Sequence, residues 1–174
     1  MKIQNLKFKI QNCKKGFTLM EVIVSLGVII AALVGVMALV TFSVSSIRVN
    51  KSRIIASNLA QEGLEIVRNI RDNNWLNYKR SVSNWRDGLA SGNYLVQFDT
   101  ENLLVFSSTP LKINPAGRYQ YNSGSDTLFY SKISIEHIGD NQIKVISQID
   151  WQEDGKSHVV KTETRFYNWL EEPE

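Results

Sequence analysis

Nineteen consecutive residues, Val22 to Val40, carry no charge and read VIVSLGVIIAALVGVMALV. Widening the window to Phe17–Ile47 admits one charged side chain, Glu21. At ~1.5 Å per helical residue the uncharged run spans about 28 Å, close to the roughly 30 Å hydrocarbon core of a bilayer. The core helix of a soluble domain is shorter and carries its apolar residues as a stripe, whereas this run is apolar on every side. It is predicted to be a membrane-spanning helix. A secretory signal has a shorter apolar stretch and a small-x-small cleavage site after it, and Ser43-Val44-Ser45 fits that pattern poorly. The lysines ahead of the run favour a cytoplasmic N-terminus by the positive-inside tendency, five basic residues against Arg48, Lys51 and Arg53 behind it.

Charge is divided unevenly along the chain. Of 20 basic residues among 174, Lys2, Lys7, Lys9, Lys14 and Lys15 lie in the first sixteen positions, which hold no acid. The other 158 residues carry 15 basic and 17 acidic side chains, so the net charge of +3 becomes −2 without that segment. The later basic residues are interspersed with acids and form no nucleic-acid stripe. Cys13, the single cysteine, lies in the same N-terminal piece, which excludes a disulfide framework and a cysteine-ligated metal site.

Glu21 is chemically out of place. A charge on a spanning helix costs on the order of 2.5–3.5 kcal/mol near the bilayer centre and less toward the interface. The residues that follow it are apolar, so a partner has to come from another chain or from a new α-amine made by cutting close upstream. A cut between Gly16 and Phe17 would make that amine, and glycine lets a backbone approach an active site closely. Opposite charges ~4 Å apart at an effective dielectric near ~20 attract by roughly 4 kcal/mol before desolvation, enough to offset insertion. The competing reading leaves Glu21 solvated at the headgroup level.

The segment Lys14-Lys15-Gly16-Phe17-Thr18-Leu19-Met20-Glu21 and the run behind it resemble the processing signature of type IV pilins and type II secretion pseudopilins. The resemblance covers about thirty residues. It implies that residues 1–16 are a basic leader removed on the cytoplasmic side by a prepilin peptidase, with Gly16 its last residue. Phe17 would become an N-methylated N-terminus, and Glu21 would pair with a neighbouring subunit's N-terminus during assembly. The partners implied are other pilin or pseudopilin subunits, the peptidase/methyltransferase, the inner-membrane assembly platform, and membrane lipid before assembly. Many major pilins have a proline midway along the run; this chain has only Gly27 and Gly35 there, leaving a shaft or a tip position open.

Helical periodicity continues beyond the apolar run, dividing the chain into an assembly helix (17–47), an amphipathic continuation (48–72) and a globular β-rich region (73–174). In Lys51–Asp72 the residues Ile55, Ala56, Leu59, Gly63, Ile66, Val67 and Ile70 form a stripe roughly 120° wide, opposite Lys51, Asn58, Glu62, Glu65 and Asn69. Leu64 and Ile54 fall outside the stripe, and Asp72-Asn73-Asn74 reads as a stop. A helix from about Thr18 to Arg71 would run on the order of 80 Å. The segment Leu59–Asp72 also resembles PilV-type minor pilins.

Residues 73–174 hold all four tryptophans. Trp75 and Trp85 read as part of an irregular loop with one short helix. Tyr94–Asp99 and Leu103–Ser107 read as a hairpin around Thr100-Glu101-Asn102, and Pro110, Pro115 and Gly117 as a long connection. Strands are predicted at about Phe129–Ile138, Gln142–Trp151 and His158–Trp169, joined by the turn formers Gly139-Asp140-Asn141 and Glu153-Asp154-Gly155. Alternation sets Ile143, Val145, Ile149 and Trp151 against Lys144, Gln148 and Asp150, and Val160, Thr162, Thr164 and Phe166 against Lys161, Glu163 and Arg165. The predicted class is α+β, a long helix covered by an antiparallel meander, which is the layout the pilin resemblance implies.

No motif for catalysis emerges. His137 and His158 sit near strand ends without a nucleophile or ligand pattern. Asp99 with Glu101, and Asp140 with Asn141, lack the oxygen density of a calcium loop and read as turns. No phosphate-cradling loop or zinc spacing occurs. The expectation is a non-enzymatic structural subunit without cofactor or metal, held in the inner membrane with an extracytoplasmic C-terminal domain and then in a filament. The alternative is an uncleaved, signal-anchored sensor or adhesin.

Overall fold

The computed structural model describes residues 16–77, 84–99 and 101–169. Residues 1–15 of the expected leader, Thr100 of the hairpin loop and the acidic segment Glu171–Glu174 lie outside the described residues. The chain divides into two compact units, Met1–Ser46 and Ile47–Glu174.

In the first unit the described backbone is helical from Leu19 onward and apolar, and every side chain from Phe17 to Val44 is exposed. Helix α1 (Leu19–Leu76) meets the length and composition required of a membrane span near the N-terminus. Thr18 is its N-cap: the Glu21 amide donates to Thr18 Oγ1 at 3.3 Å, and the Thr18 carbonyl accepts from Glu21 and Val22.

The second unit is α+β. Its strands are β1 (Gly92–Leu95), β2 (Leu104–Val105), β3 (Lys112–Ile113), β4 (Tyr119–Gln120), β5 (Ser125–Asp126), β6 (Tyr130–His137), β7 (Gln142–Glu153) and β8 (Lys156–Tyr167). Five of them form an antiparallel sheet in the order β2-β1-β6-β7-β8, and β4-β3-β5 form a second small sheet. The three long strands fall where alternation places them. Ile143, Val145, Ile149 and Trp151 are buried on one face of β7, and Phe166 is buried on β8. The β7–β8 turn is two residues, Asp154 and Gly155, both at positive φ (51° and 72°), as a tight hairpin requires. The hairpin expected at 94–107 forms with Tyr94 opposite Val105 and Leu95 opposite Leu104.

The C-terminal part of α1 lies on the sheet through two clusters. Leu64, Val67 and Ile70 pack with Ile133, Ile135, Ile143, Val145 and Phe166; Ala56, Leu59 and Ala60 pack with Leu111, Phe129, Ile149 and Trp151. The polar face read from the sequence, Lys51, Asn58, Glu62, Glu65 and Asn69, is exposed. Leu64 corrects the expected stripe. It is buried at 7% exposure because the sheet is broad enough to cover a wider arc of helix, whereas Ile54 stays 63% exposed.

The expected stop at Asp72-Asn73-Asn74 is also corrected, since α1 continues to Leu76. Distant partners hold this end. Asn74 is buried and donates to the carbonyls of Trp85 (3.1 Å) and Asp87 (2.8 Å), while Asn73 donates to Asn69 Oδ1. Trp75 therefore belongs to the helix rather than to a loop, and Trp85 is core, 5% exposed. Arg71 lies between the rings of Trp75 (4.5 Å) and Phe166 (4.6 Å) and bonds to Asp72 Oδ1 at 2.7 and 2.9 Å. The connection marked by Pro110, Pro115 and Gly117 is likewise more ordered than expected, because it contains the small β3–β5 sheet.

Helix and sheet approach closely at Gly63. A Cβ there would lie 2.8 Å from both Ile133 Cδ1 and Ser147 Oγ, the side chains of a cross-strand pair. Ser147 is fully buried and its hydroxyl has no hydrogen-bond partner. Gly63→Leu is expected to lower stability by about 1–3 kcal/mol through overpacking. Gly63→Ala should cost less in a Ser147→Ala background than alone in thermal melts; equal costs would refute the contact. Arg71→Ala should lower stability by about 2 kcal/mol, and Arg71→Lys should recover only part of it, because an ammonium cannot stack flat between two rings. Full recovery by lysine would show that charge alone matters there.

Candidate functional site

The three residues singled out in the sequence lie in one short segment at the start of α1. Gly16 and Phe17 precede the helix in irregular backbone; a Cβ on Gly16 would meet nothing within 4 Å, and Phe17 is 81% exposed. Both residues flanking the Gly16–Phe17 peptide are exposed. Thr18 then starts the helix, and Glu21 occupies its first turn. Among the described residues no hydrogen bond or ion pair reaches the Glu21 carboxylate; the bonds at this residue engage its backbone, including Ser25 Oγ donating to its carbonyl at 2.6 Å.

This geometry adds a role that charge reasoning missed. Thr18-x-x-Glu21 has the spacing of a capping box, in which the N-cap hydroxyl accepts from the amide three residues on and the acid faces the N-terminal amides. The observed Thr18–Glu21 bond is one half of that pair. A carboxylate in the first turn is also favoured by the helix macrodipole, typically by about 0.3–1 kcal/mol at an exposed site. The signal was present in the sequence as threonine followed three residues later by glutamate. A capping box would suit an acid at this end of the helix, although the Glu21 carboxylate itself makes no hydrogen bond among the described residues. Capping does not require that acid to be charged, since glutamine caps as well.

The other candidates do not assemble into a centre. His137 Nε2 donates to the Leu89 carbonyl at 2.7 Å, and its amide donates to Ser91 Oγ. His158 stacks on Trp151 with ring centres 5.1 Å apart. Asp99 accepts from Gln97 Nε2 at 2.7 Å, Asp140 lies 3.9 Å from Arg86, the Asn141 carbonyl accepts from the Asn168 amide, and Glu101 is exposed. No group of three or more His, Cys, Asp or Glu able to hold a metal occurs among the described residues. Burial pushes the Tyr121 hydroxyl up to about 12 and raises Tyr119 and Glu62 above their ordinary ranges. These three lie at the helix–sheet junction and its flank, away from Glu21 in sequence and in unit.

Comparison with protein families, with curated proteins and with solved structures finds no match to this chain.

Proposed function

We propose that the chain is a structural subunit, a minor pilin or pseudopilin, of a type IV pilus or type II secretion-like filament. In this reading a prepilin peptidase cuts after Gly16 and Phe17 is N-methylated. The apolar half of α1 waits in the inner membrane with its N-terminus cytoplasmic and the C-terminal domain outside, then leaves lipid for a bundle of like helices. Other subunits, the assembly platform and lipid are its partners, and no catalysis, cofactor or nucleic acid enters. The observation that carries the reading is the coincidence of an exposed Gly16 and Phe17, a Glu21 carboxylate without a partner among the described residues and a helix exposed along its apolar length. Helices in lipid associate through close packing and polar pairing rather than by hydrophobic burial, so a subunit can leave lipid for an equally apolar bundle at little cost.

N-terminal mass spectrometry of the membrane-extracted protein tests the processing step. A product that begins at methylated Phe17 is the expected result, and Gly16→Val should leave a full-length, unassembled precursor. Intact Met1 would establish the uncut anchored domain instead, and a start beyond Ser45 would establish a cleaved secretory signal; either would overturn the filament reading.

Glu21 permits a sharper separation of its two roles. Glu21→Ala should be made and processed but poorly incorporated into filaments. Glu21→Gln keeps the capping geometry and loses the charge, so it should fail like the alanine variant if charge pairing drives assembly. Wild-type incorporation of Glu21→Gln, measured in sheared filament fractions, would reduce Glu21 to a helix cap and leave the cleavage reading intact.

A further inference from the structure

A cavity of about 640 Å³ opens at one end of the five-stranded sheet, between the N-terminal end of β6, the hairpin end of β7 and β8, and the segment that follows β2. Its size falls in the range of small-molecule sites. Its floor includes Trp151, 2% exposed, against which the His158 ring is stacked at 20°. Trp151 Nε1 and His158 Nε2 are covered by protein and have no partner, so recognition falls to the groups that remain open.

Those groups are of three kinds. Phe106 and Tyr130 present two aromatic rings at 40% and 42% exposure. Asp150 and Lys132 supply one negative and one positive charge, which cancel. The Asp150 carboxylate is held by Gln148 Nε2 at 3.0 and 2.7 Å, so its remaining lone pairs are oriented rather than free to rotate. Hydroxyls complete the wall. Ser107 and Thr109 bond to each other at 3.1 Å, and Thr127 gives its proton to the Leu111 carbonyl and accepts from the Phe129 amide at 3.3 Å, which leaves it one acceptor lone pair.

We propose that this cavity binds a neutral oligosaccharide. A pyranose ring combines a C–H face, which packs on an exposed aromatic ring, with an edge of hydroxyls that donate to a fixed carboxylate and accept from an ammonium and from serine or threonine. The cancelling charges give no field for an anionic ligand, and the hydroxyl-lined wall disfavours a lipid chain, which would leave those groups without partners. An extended peptide is the competing occupant, and the test below separates the two. The site lies wholly within the C-terminal unit and stands independently of whether the chain enters a filament.

The test uses the full chain in detergent micelles on an array of neutral, sialylated and sulfated glycans, beside a random heptapeptide library. Neutral glycans should be retained and the charged ones not. Asp150→Ala and Tyr130→Ala should each weaken the retained glycan about tenfold with an unchanged near-ultraviolet dichroism spectrum, while Ile54→Ser on the exposed face of α1 should leave it unaltered. Silence of every neutral glycan, preference for sialylated or sulfated ones, enrichment of heptapeptides alone, or full binding by a correctly folded Asp150→Ala would overturn the proposal.

Discussion

Hydrocarbon left uncovered is the constraint around which this molecule is organised. From Leu19 to Val44 the helix offers apolar side chains on every side, and no other described part of its unit shields them. Soluble proteins rarely expose contiguous apolar surface beyond a few hundred Å². A helix can present such a surface because its backbone amides and carbonyls are satisfied internally, which makes lipid an acceptable solvent for it. The four amides of its first turn are the exception, and Thr18 with Glu21 stands where two of them need partners. The acid at the head of the run and the apolar residues behind it thus belong to one physical problem, that of starting an uncovered apolar helix.

The second unit solves the opposite problem with small residues. Ala56, Ala60 and Gly63 thin one face of α1 so that the sheet approaches its backbone, while Leu59, Leu64 and Val67 interdigitate beside them. Glycine within a helix costs about 1 kcal/mol in propensity relative to alanine, and the contact with Ile133 and Ser147 is what keeps it there. The aromatic group at the far end works by geometry as well as area: the Arg71 guanidinium lies within 4.6 Å of the centres of two rings, Trp75 and Phe166, and Trp75 also meets Trp169 edge-on with centres 5.0 Å apart. The helix and β8 are thereby joined through one guanidinium, and Trp169 joins them through Trp75.

Periodic features were legible in the sequence and non-local ones were not. Strands β6, β7 and β8 announced themselves through strict alternation, and Asp154-Gly155 through its turn chemistry. The helix stripe was readable except at its margin, where Leu64 depended on the breadth of the sheet. The end of α1 was misread because Asn74 behaves as a helix terminator until the carbonyls of Trp85 and Asp87 are brought to it, eleven and thirteen residues away. Strands β3 to β5 have two residues each, too few to carry a period. The cavity at the end of the five-stranded sheet was invisible for the same reason: Phe106, Tyr130 and Asp150 come from three separate segments and share no spacing. At Gly16, Phe17 and Glu21 the reading came from a local pattern, and Thr18 completed it.

The notch at Gly63 also has a mechanical meaning. A slip of the sheet along α1 by one turn, ~5.4 Å, would set Leu59 or Val67 against Ile133 and Ser147 in place of a bare backbone. That arrangement is sterically blocked in both directions, so the sheet is keyed to one axial position. Tension entering the helix from its N-terminal end is therefore borne by the domain as a load and cannot be relieved by sliding.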